Sequence, residues 1–186
     1  YSSTSIEGNP LPLTEVKEIL KNKPEYIRDS EREVLNYNKM LEILVDGLKR
    51  KRVNFSLELI LGIQKIVTDG LIDCFNSGAI RKEPVFVNDP ISRKPIYLPP
   101  DQQDVPSLVQ DLIDFITSSK TKLDPLILAG IFHKQFVFIH PFTDGNGRTA
   151  RLVTKVLLAN MGLDTFSLFS FENYYNQNVM VYLQHS

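Results

Sequence analysis

The helical pattern of this chain breaks at one segment, Phe138-Ile139-His140-Pro141-Phe142-Thr143-Asp144-Gly145-Asn146-Gly147-Arg148-Thr149-Ala150-Arg151. Proline disfavours helical dihedrals in the residue before it, so a helix is predicted to end at His140. The glycines on both sides of Asn146 predict a loop whose backbone can approach a ligand closely. Apolar spacing then predicts a new helix from about Gly147 to Gly162. The segment therefore joins two helices through a glycine-rich turn.

The residues of this turn are typical of a phosphate site. A helix N-terminus presents free N–H groups and a positive dipole end, which together favour an anion. Arg148 and Arg151 lie on one face of the first turn, where a cation is disfavoured unless an anion such as a polyphosphate offsets it. Asp144 offers the oxygen ligand that Mg²⁺ takes beside phosphates. His140, with an ordinary pKa near ~6.5, is suited to accept a proton from a hydroxyl.

Outside this segment the sequence predicts an all-α fold with one small β-hairpin. Ser30 and Glu33 have the spacing of a capping box, Thr14 is predicted to cap a short early helix, and Ser56 and Asp124-Pro125 are predicted to begin two core helices. A proline-rich stretch interrupts the helices. Within it, Val85–Val87 and Pro95–Leu98 are predicted to be short strands joined by a turn.

Composition restricts the class of protein. The chain has 186 residues, of which 42% are apolar, and this length and composition predict one folded core. The formal net charge of −1 argues against a dedicated nucleic-acid binder. The apolar run from Leu126 to Phe132 is too short to span a membrane, and Cys74 has no partner for an internal disulfide. We expect a soluble, cytoplasmic domain. Because the sequence begins without Met, we also expect it to be part of a longer protein.

The segment from His140 to Arg151 resembles, at every defined position, the His-Pro-Phe-x-Asp/Glu-Gly-Asn-Gly-Arg-x-x-Arg signature of the Fic family. The resemblance implies a Fic-type helical bundle that transfers AMP from ATP to a Ser, Thr or Tyr hydroxyl of a target protein, with Mg²⁺, and releases pyrophosphate. It makes His140 the catalytic base and Asp144 the metal ligand. The residues that it assigns to the nucleotide are Gly145, Asn146 and Gly147 around the α- and β-phosphates, Arg148 towards the β-phosphate and Arg151 on the γ-phosphate.

The same resemblance implies a division of the chain. Residues 1–186 are expected to form a single Fic domain, in which 1–22 is an N-terminal inhibitory helix region, 85–97 a flap hairpin, and 140–151 the catalytic loop and helix N-terminus. Ser3-Thr4-Ser5-Ile6-Glu7-Gly8 resembles the inhibitory motif of the family. Glu7 is expected to pair with Arg151 where the γ-phosphate would bind, and Ser3 to fix the short helix, within one subunit or between neighbours.

The resemblance also implies partners. ATP and a target protein docked on the flap are expected, a homodimer is possible, and neither a membrane nor a nucleic acid is expected from this segment. His133 is predicted to be structural. Gln64, at a position where many relatives carry His, is predicted to have no part in the chemistry.

Two alternatives to AMP transfer stay open. Glu7 could position water to remove AMP from a modified protein, so that the chain is a deAMPylase. The domain could instead be a non-catalytic module that senses or binds ATP, although such a module has no need for His140. A metal-dependent phosphoesterase is disfavoured, because two-metal sites need more carboxylates than the segment offers.

Overall fold

The computed structural model describes residues 1–22, 24–88, 95–163, 166, 171–179 and 181–182. Most of these residues are helical, as predicted for an all-α fold. The helices are α1 (Ser2–Ile6), α2 (Leu13–Lys21), α3 (Asp29–Lys49), α4 (Leu57–Val67), α5 (Val105–Ser119), α6 (Pro125–Ile139), α7 (Asn146–Asn160) and α8 (Phe171–Gln177).

Two of the core helices begin where the sequence predicts. The Ser56 hydroxyl accepts a hydrogen bond from the Leu59 N–H at 3.2 Å, and α4 follows. The Asp124 carboxylate accepts from the Leu126 N–H at 2.8 Å, with Pro125 at the first position of α6. Side-chain caps of this kind typically contribute about 1 kcal/mol each.

The capping box predicted at Ser30 and Glu33 is wrong. α3 begins at Asp29, and Glu31 is the residue that accepts from the preceding Arg28 N–H, at 2.8 Å. Thr14 does not cap α2 either, since that helix begins one residue earlier, at Leu13. A Ser-x-x-Glu spacing also occurs inside helices, and in this fold the Glu33 carboxylate is attracted to a buried arginine instead.

α7 lies at the centre of the fold. It packs against α3, α4 and α6, and its residues from Asn146 to Leu158 are buried with the exception of Gly147. Phe132 and Phe136 of α6 are fully buried against it, and Phe132 packs edge-on against Phe55. Because close-packed interiors deform little, the N-terminus of α7 is a rigid platform.

The N-terminal region reaches that platform. Leu11, Val16, Ile19 and Val34 form a separate buried cluster that fixes α2 on α3. α1 contacts α3, α7 and α8, and its residues Ser3 and Thr4 are buried. A short N-terminal helix is thereby brought beside the predicted catalytic segment.

A strand pair precedes α5. β1 (Val87–Asn88) and β2 (Pro95–Tyr97) are antiparallel, with Val87 opposite Tyr97. Both strands are shorter than predicted, and the predicted turn, residues 89–94, lies outside the described residues. The Tyr97 hydroxyl donates to the Phe138 carbonyl at 3.1 Å, which fixes β2 near the end of α6.

Among the described residues, no helix is both long enough and apolar enough to cross a membrane.

Candidate active site

His140 ends α6 in an uncommon backbone conformation. Its φ is 51° and its ψ is 60°, in the left-handed region, and Pro141 follows it. Pro141 was predicted to move His140 out of helical dihedrals, and the structure agrees. Nδ1 lies 3.2 Å from the Val137 carbonyl oxygen, which can only accept a hydrogen bond. The proton of the neutral ring is therefore on Nδ1. The lone pair on Nε2 is therefore left to accept a proton.

The surroundings of His140 keep its ring neutral. Burial lowers the pKa of His140 below its ordinary value of 6.5, and the positive charge of Arg81 acts in the same direction. The Val137 carbonyl and the carboxylates of Glu7 and Asp144 oppose this shift. A neutral imidazole at pH 7 is the form that a general base requires.

The turn after His140 is closed by side chains and by a glycine. Gly145 has a φ of 79°, and a Cβ on it would lie 2.8 Å from Cγ2 of Thr68, so both conformation and space require glycine here. The Asn146 amide donates to the Phe142 carbonyl at 2.8 Å, and its oxygen accepts from the Phe142 N–H at 2.9 Å. The side chain of Asn146 thus closes the turn, and only the backbone N–H of this residue is left to face an anion.

Backbone N–H groups lie at the start of α7, where the sequence predicts an anion site. Asn146, Gly147 and Arg148 lie in the first turn, where N–H groups have no partner inside the helix. The residues predicted to surround the α- and β-phosphates are therefore brought together.

Arg148 is buried among three carboxylates. Its guanidinium lies 2.8 Å from Asp144 Oδ2, 3.0 Å from Glu33 Oε1 and 3.3 Å from Glu7 Oε2. Burial alone would lower the pKa of Arg148, but these carboxylates together raise it, so the arginine stays charged. Burial raises the pKa of Glu33, against the opposing effect of Arg148.

Arg151 is held by α1. Its Nη2 donates to Glu7 Oε1 at 2.7 Å and to the Ser3 carbonyl at 2.8 Å, and its Nε donates to the Ser3 hydroxyl at 2.6 Å. Only 1% of Arg151 is exposed. The two residues of the N-terminal motif thus contact the predicted γ-phosphate ligand within one chain.

Glu7 also lies against the predicted anion site. A Cβ built on Gly147 would overlap Oε1 of Glu7, so that carboxylate oxygen closely approaches the backbone at the start of α7. The carboxylate therefore lies where the sequence predicts phosphate oxygens.

The residues present fit one Mg²⁺ held mainly by nucleotide phosphates. Oδ2 of Asp144 is paired with Arg148, and the Asp144 side chain remains 45% exposed. Its other oxygen, Oδ1, is therefore available to bind a cation. Among the described residues, no group of three or more metal-ligating side chains comes together. A single carboxylate combined with phosphate oxygens is a donor set that suits Mg²⁺.

Sequence reasoning missed several residues that hold this site. The Gln64 amide donates to the Asp144 carbonyl at 3.2 Å, and its oxygen accepts from the Gly78 N–H. Glu33, interpreted above as part of a helix cap, neutralises Arg148, and the Asn9 amide donates to that same carboxylate and to the Ser30 carbonyl. The sequence signal for these residues is weak, because their partners lie 14 or more positions away in the chain.

His133 is structural, as predicted, and belongs to a directional chain of hydrogen bonds. The Thr154 hydroxyl donates to the Ala150 carbonyl, so it accepts from His133 Nδ1–H at 3.1 Å. His133 Nε2 then accepts from the Tyr182 hydroxyl at 2.9 Å, and that hydroxyl accepts from Arg151 at 3.3 Å. Burial lowers the pKa of His133 to about 3, so its ring stays neutral.

An aromatic cavity of about 300 Å³ adjoins the hydrogen-bonded residues His133 and Tyr182. It is lined by Gly130, His133, Lys134, Tyr174, Tyr175, Asn178, Val181 and Tyr182. Tyr182 connects the cavity to Arg151.

Comparison with known proteins gives the family. A model of the Fic/DOC family matches residues 54–158, more than half of the chain. The chain belongs to the Fic/DOC family.

Curated relatives carry the name protein adenylyltransferase. The chain is 31% identical over 166 residues to protein adenylyltransferase Fic of Nematostella vectensis, which covers 87% of this chain and 37% of that protein. It is 31% identical over 168 residues to protein adenylyltransferase fic-1 of Caenorhabditis elegans, which covers 87% of this chain and 31% of that protein. The chain thus spans about a third of the length of these relatives.

Solved structures share the fold. A Fic family protein from Desulfovibrio desulfuricans superposes with a TM-score of 0.81 at 26% identity, over 98% of this chain and 53% of that chain. A Fic domain containing signaling protein from Bacteroides thetaiotaomicron superposes with a TM-score of 0.71 at 20% identity, over 98% of this chain and 81% of that chain.

Proposed function

We propose that this domain transfers AMP from ATP to a Ser, Thr or Tyr hydroxyl of a target protein, and that Glu7 keeps the transfer slow. One observation carries the proposal. His140 has Nδ1 committed to the Val137 carbonyl, so Nε2 is available to take a proton beside a helix N-terminus that holds Arg148 and Arg151. The names of the relatives support the same reaction class.

The triphosphate is proposed to bind along the start of α7. The N–H groups of Asn146, Gly147 and Arg148 would donate to the α- and β-phosphates, the Arg148 guanidinium to the β-phosphate side, and Arg151 to the γ-phosphate. Guanidinium groups bind phosphate oxygens through two parallel hydrogen bonds, which suits both arginines to this role.

The reaction is an in-line displacement at the α-phosphorus. The oxygen of the target hydroxyl forms a bond to the α-phosphorus while its proton passes to Nε2 of His140. The bond from the α-phosphorus to its bridging oxygen breaks, and pyrophosphate leaves with the electron pair. Donors on the anion site stabilise the charge that develops on the phosphoryl oxygens.

Asp144 would hold Mg²⁺, which when bound supplies charge neutralisation at the phosphates.

The target is proposed to dock on residues 85–97. β1 and β2 form a two-stranded pair, and an added strand would pair with its backbone. Pairing of this kind fixes the position of the modified hydroxyl and leaves side-chain identity open. We also propose that residues 1–186 act as a single domain and that two copies of the protein form a homodimer. A cytoplasmic location is proposed because Cys74 is unpaired, as is usual in a reducing compartment.

Release of the inhibition is proposed to require movement of α1. Glu7 and Ser3 occupy the donors of Arg151 that a γ-phosphate would use. A nucleotide bound in their presence would lack this contact, and its α-phosphate would not be aligned with the incoming hydroxyl.

The test is transfer of label from α-labelled ATP with Mg²⁺ onto candidate targets in lysate and onto the protein itself. Wild type, Glu7→Gly, and Glu7→Gly with His140→Ala are compared. Label with Glu7→Gly that disappears with His140→Ala supports an inhibited adenylyltransferase. Transfer of γ-label instead would overturn the proposed orientation of the nucleotide, and ATP binding without transfer would favour an ATP-sensing module.

Removal of AMP is the second candidate, because the Glu7 side chain keeps 24% of its surface exposed beside Gly147, where it could orient water. Release of AMP from a pre-modified target by wild type, lost in Glu7→Gly, would favour this reaction.

A further inference from the structure

Arg81 lies between α4 and β1 and is buried, with 2% of its surface exposed. Its guanidinium donates three hydrogen bonds to backbone carbonyls. Nε donates to His140 at 2.8 Å, Nη2 to Pro100 at 2.6 Å and Nη1 to Glu83 at 3.2 Å. The Arg81 N–H donates to the Pro141 carbonyl at 2.9 Å.

These bonds join the candidate base to the strand pair. The His140 carbonyl belongs to the residue with the left-handed backbone, and the Pro141 carbonyl belongs to the next residue. Glu83 precedes β1 and Pro100 follows β2, so both lie at the open end of the antiparallel pair, opposite its predicted turn. One side chain therefore fixes the open end of the pair, through a residue next to each strand, relative to the candidate catalytic loop.

This arrangement needs an arginine. The guanidinium presents donors in a rigid plane, whereas a lysine ammonium is a single point that cannot reach three separated carbonyls in this geometry. Within the described parts of the chain, no carboxylate forms an ion pair with Arg81. Burying a cation without an ion-pair partner is costly, so filling space does not account for this side chain.

We propose that Arg81 is a positioning residue, which holds the His140 backbone at a fixed angle to the strand pair and so aligns Nε2 with a hydroxyl bound there. The inference rests on the proposed function. It adds a residue outside the signature segment that acts on the transfer step through His140, without touching ATP.

The experiment compares Arg81→Lys and Arg81→Gln, each in the Glu7→Gly background. Val109→Ala in the same background is the matched control, because Val109 is a buried core residue of α5. The readouts are kcat and KM for AMP transfer, ATP binding with Mg²⁺, the unfolding midpoint, and hydrogen exchange of peptides covering residues 82–88 and 137–144.

Misalignment of a catalytic group by about 1 Å can cost roughly 10²-fold, so we expect kcat of both Arg81 variants to fall by about 10- to 100-fold. ATP binding should change by less than about threefold, because a positioning residue acts on the transfer step rather than on ground-state binding. Exchange should accelerate in both peptides together. In Val109→Ala the midpoint should fall while kcat and exchange of those peptides stay near the parent values.

Equal kcat in Arg81→Lys and the parent would overturn the inference, and so would a kcat loss that merely follows the unfolding midpoint as in Val109→Ala. If the Glu7→Gly parent transfers no AMP, the proposed function fails, and the exchange measurement decides alone. Joint acceleration of the two peptides then supports the positioning role, and unchanged exchange overturns it.

Discussion

Glu7 and Arg151 are separated by 144 positions in the sequence, and their side chains meet at 2.7 Å. The bond lies in a site where 1% of Arg151 is exposed, so water competes little for it. Breaking such a buried pair by removing one partner typically costs about 3–5 kcal/mol, because the other charge is left uncompensated. A γ-phosphate that replaced Glu7 would supply that compensation.

Glu7→Gly is expected to raise the rate of AMP transfer by about 5- to 150-fold, the usual range of coupling between two competing states. The reason is that Arg151 becomes available to the nucleotide. The measurement is the initial rate at fixed ATP. Glu25→Gly is the control, since Glu25 is an exposed glutamate outside the helices. A rate equal to wild type in Glu7→Gly would contradict the inhibitory role.

Ser3→Ala is expected to release the enzyme only partly, by about fivefold, because it removes one hydrogen bond to a charged group. The Ser3 carbonyl and Glu7 continue to hold Nη2 of Arg151. Ser2→Ala, at the neighbouring position, should leave the rate unchanged. A larger increase in Ser3→Ala than in Glu7→Gly would show that the helix contact, rather than the carboxylate, dominates.

The rate of Glu7→Gly is expected to fall on acidification with a midpoint below pH 6.5. Burial lowers the pKa of His140 from that value, and the base acts only when neutral, so activity is present above this pKa and lost below it. Removing Glu7 also removes a charge that raises the pKa, which moves the midpoint further down. The measurement is kcat/KM against pH, which reports the groups of the free enzyme; a midpoint above pH 6.5 would exclude a neutral buried imidazole as the base.

His140→Ala should abolish transfer and retain ATP binding.

Acidification is expected to destabilise the fold through His133. Its pKa is about 3 in the folded protein against 6.5 in the unfolded chain, so the unfolded state binds an extra proton between these values. Stability is therefore full above pH 6.5 and decreases as the pH falls, by up to about 1.4 kcal/mol per pH unit. The measurement is the free energy of unfolding in urea, for wild type and His133→Gln, at pH values between about 4 and 7. The variant should show a smaller slope, and parallel slopes would contradict the prediction.

Gln64→Leu is expected to lower the free energy of unfolding by about 1–3 kcal/mol, because the Gly78 N–H and the Asp144 carbonyl lose their partner. In the Glu7→Gly background AMP transfer should fall further than stability explains, since Asp144 is no longer fixed. Ile60→Val, in the same helix, is the control for a core defect. Transfer that is equal in the two variants, at equal fractions folded, would argue against a role for Gln64 in the site.

Local patterns predicted the parts of the fold that depend on neighbouring residues. The helix starts at Ser56 and Asp124 and the break at His140 follow from patterns a few residues long. The pairing of Glu7 with Arg151, across 144 positions, was expected only from the resemblance to the Fic family. The capping box at Ser30 failed because local spacing does not reveal competition from a distant charge. The carboxylate of Glu33 is bound to Arg148, which the sequence places more than a hundred residues away.

Long-range backbone contacts could not be predicted either. Gln64 and Arg81 donate to carbonyls of residues 144 and 140, and any carbonyl would accept from them, so no residue type marks the acceptor. The sequence also does not reveal the role of the Asn146 side chain. The family resemblance assigns the residue to the anion site, and in the structure its side chain closes the turn on Phe142.

The helix that covers Arg151 is part of the same chain, tethered to α3 through the contacts of Asn9 with Ser30 and Glu33. A tethered competitor has an effective concentration set by its linker, commonly in the millimolar range for short linkers, and independent of how much protein is present. Dilution therefore leaves the occupancy of Arg151 by Glu7 unchanged. Only a ligand that out-competes this local concentration, or a partner that captures α1, shifts the balance.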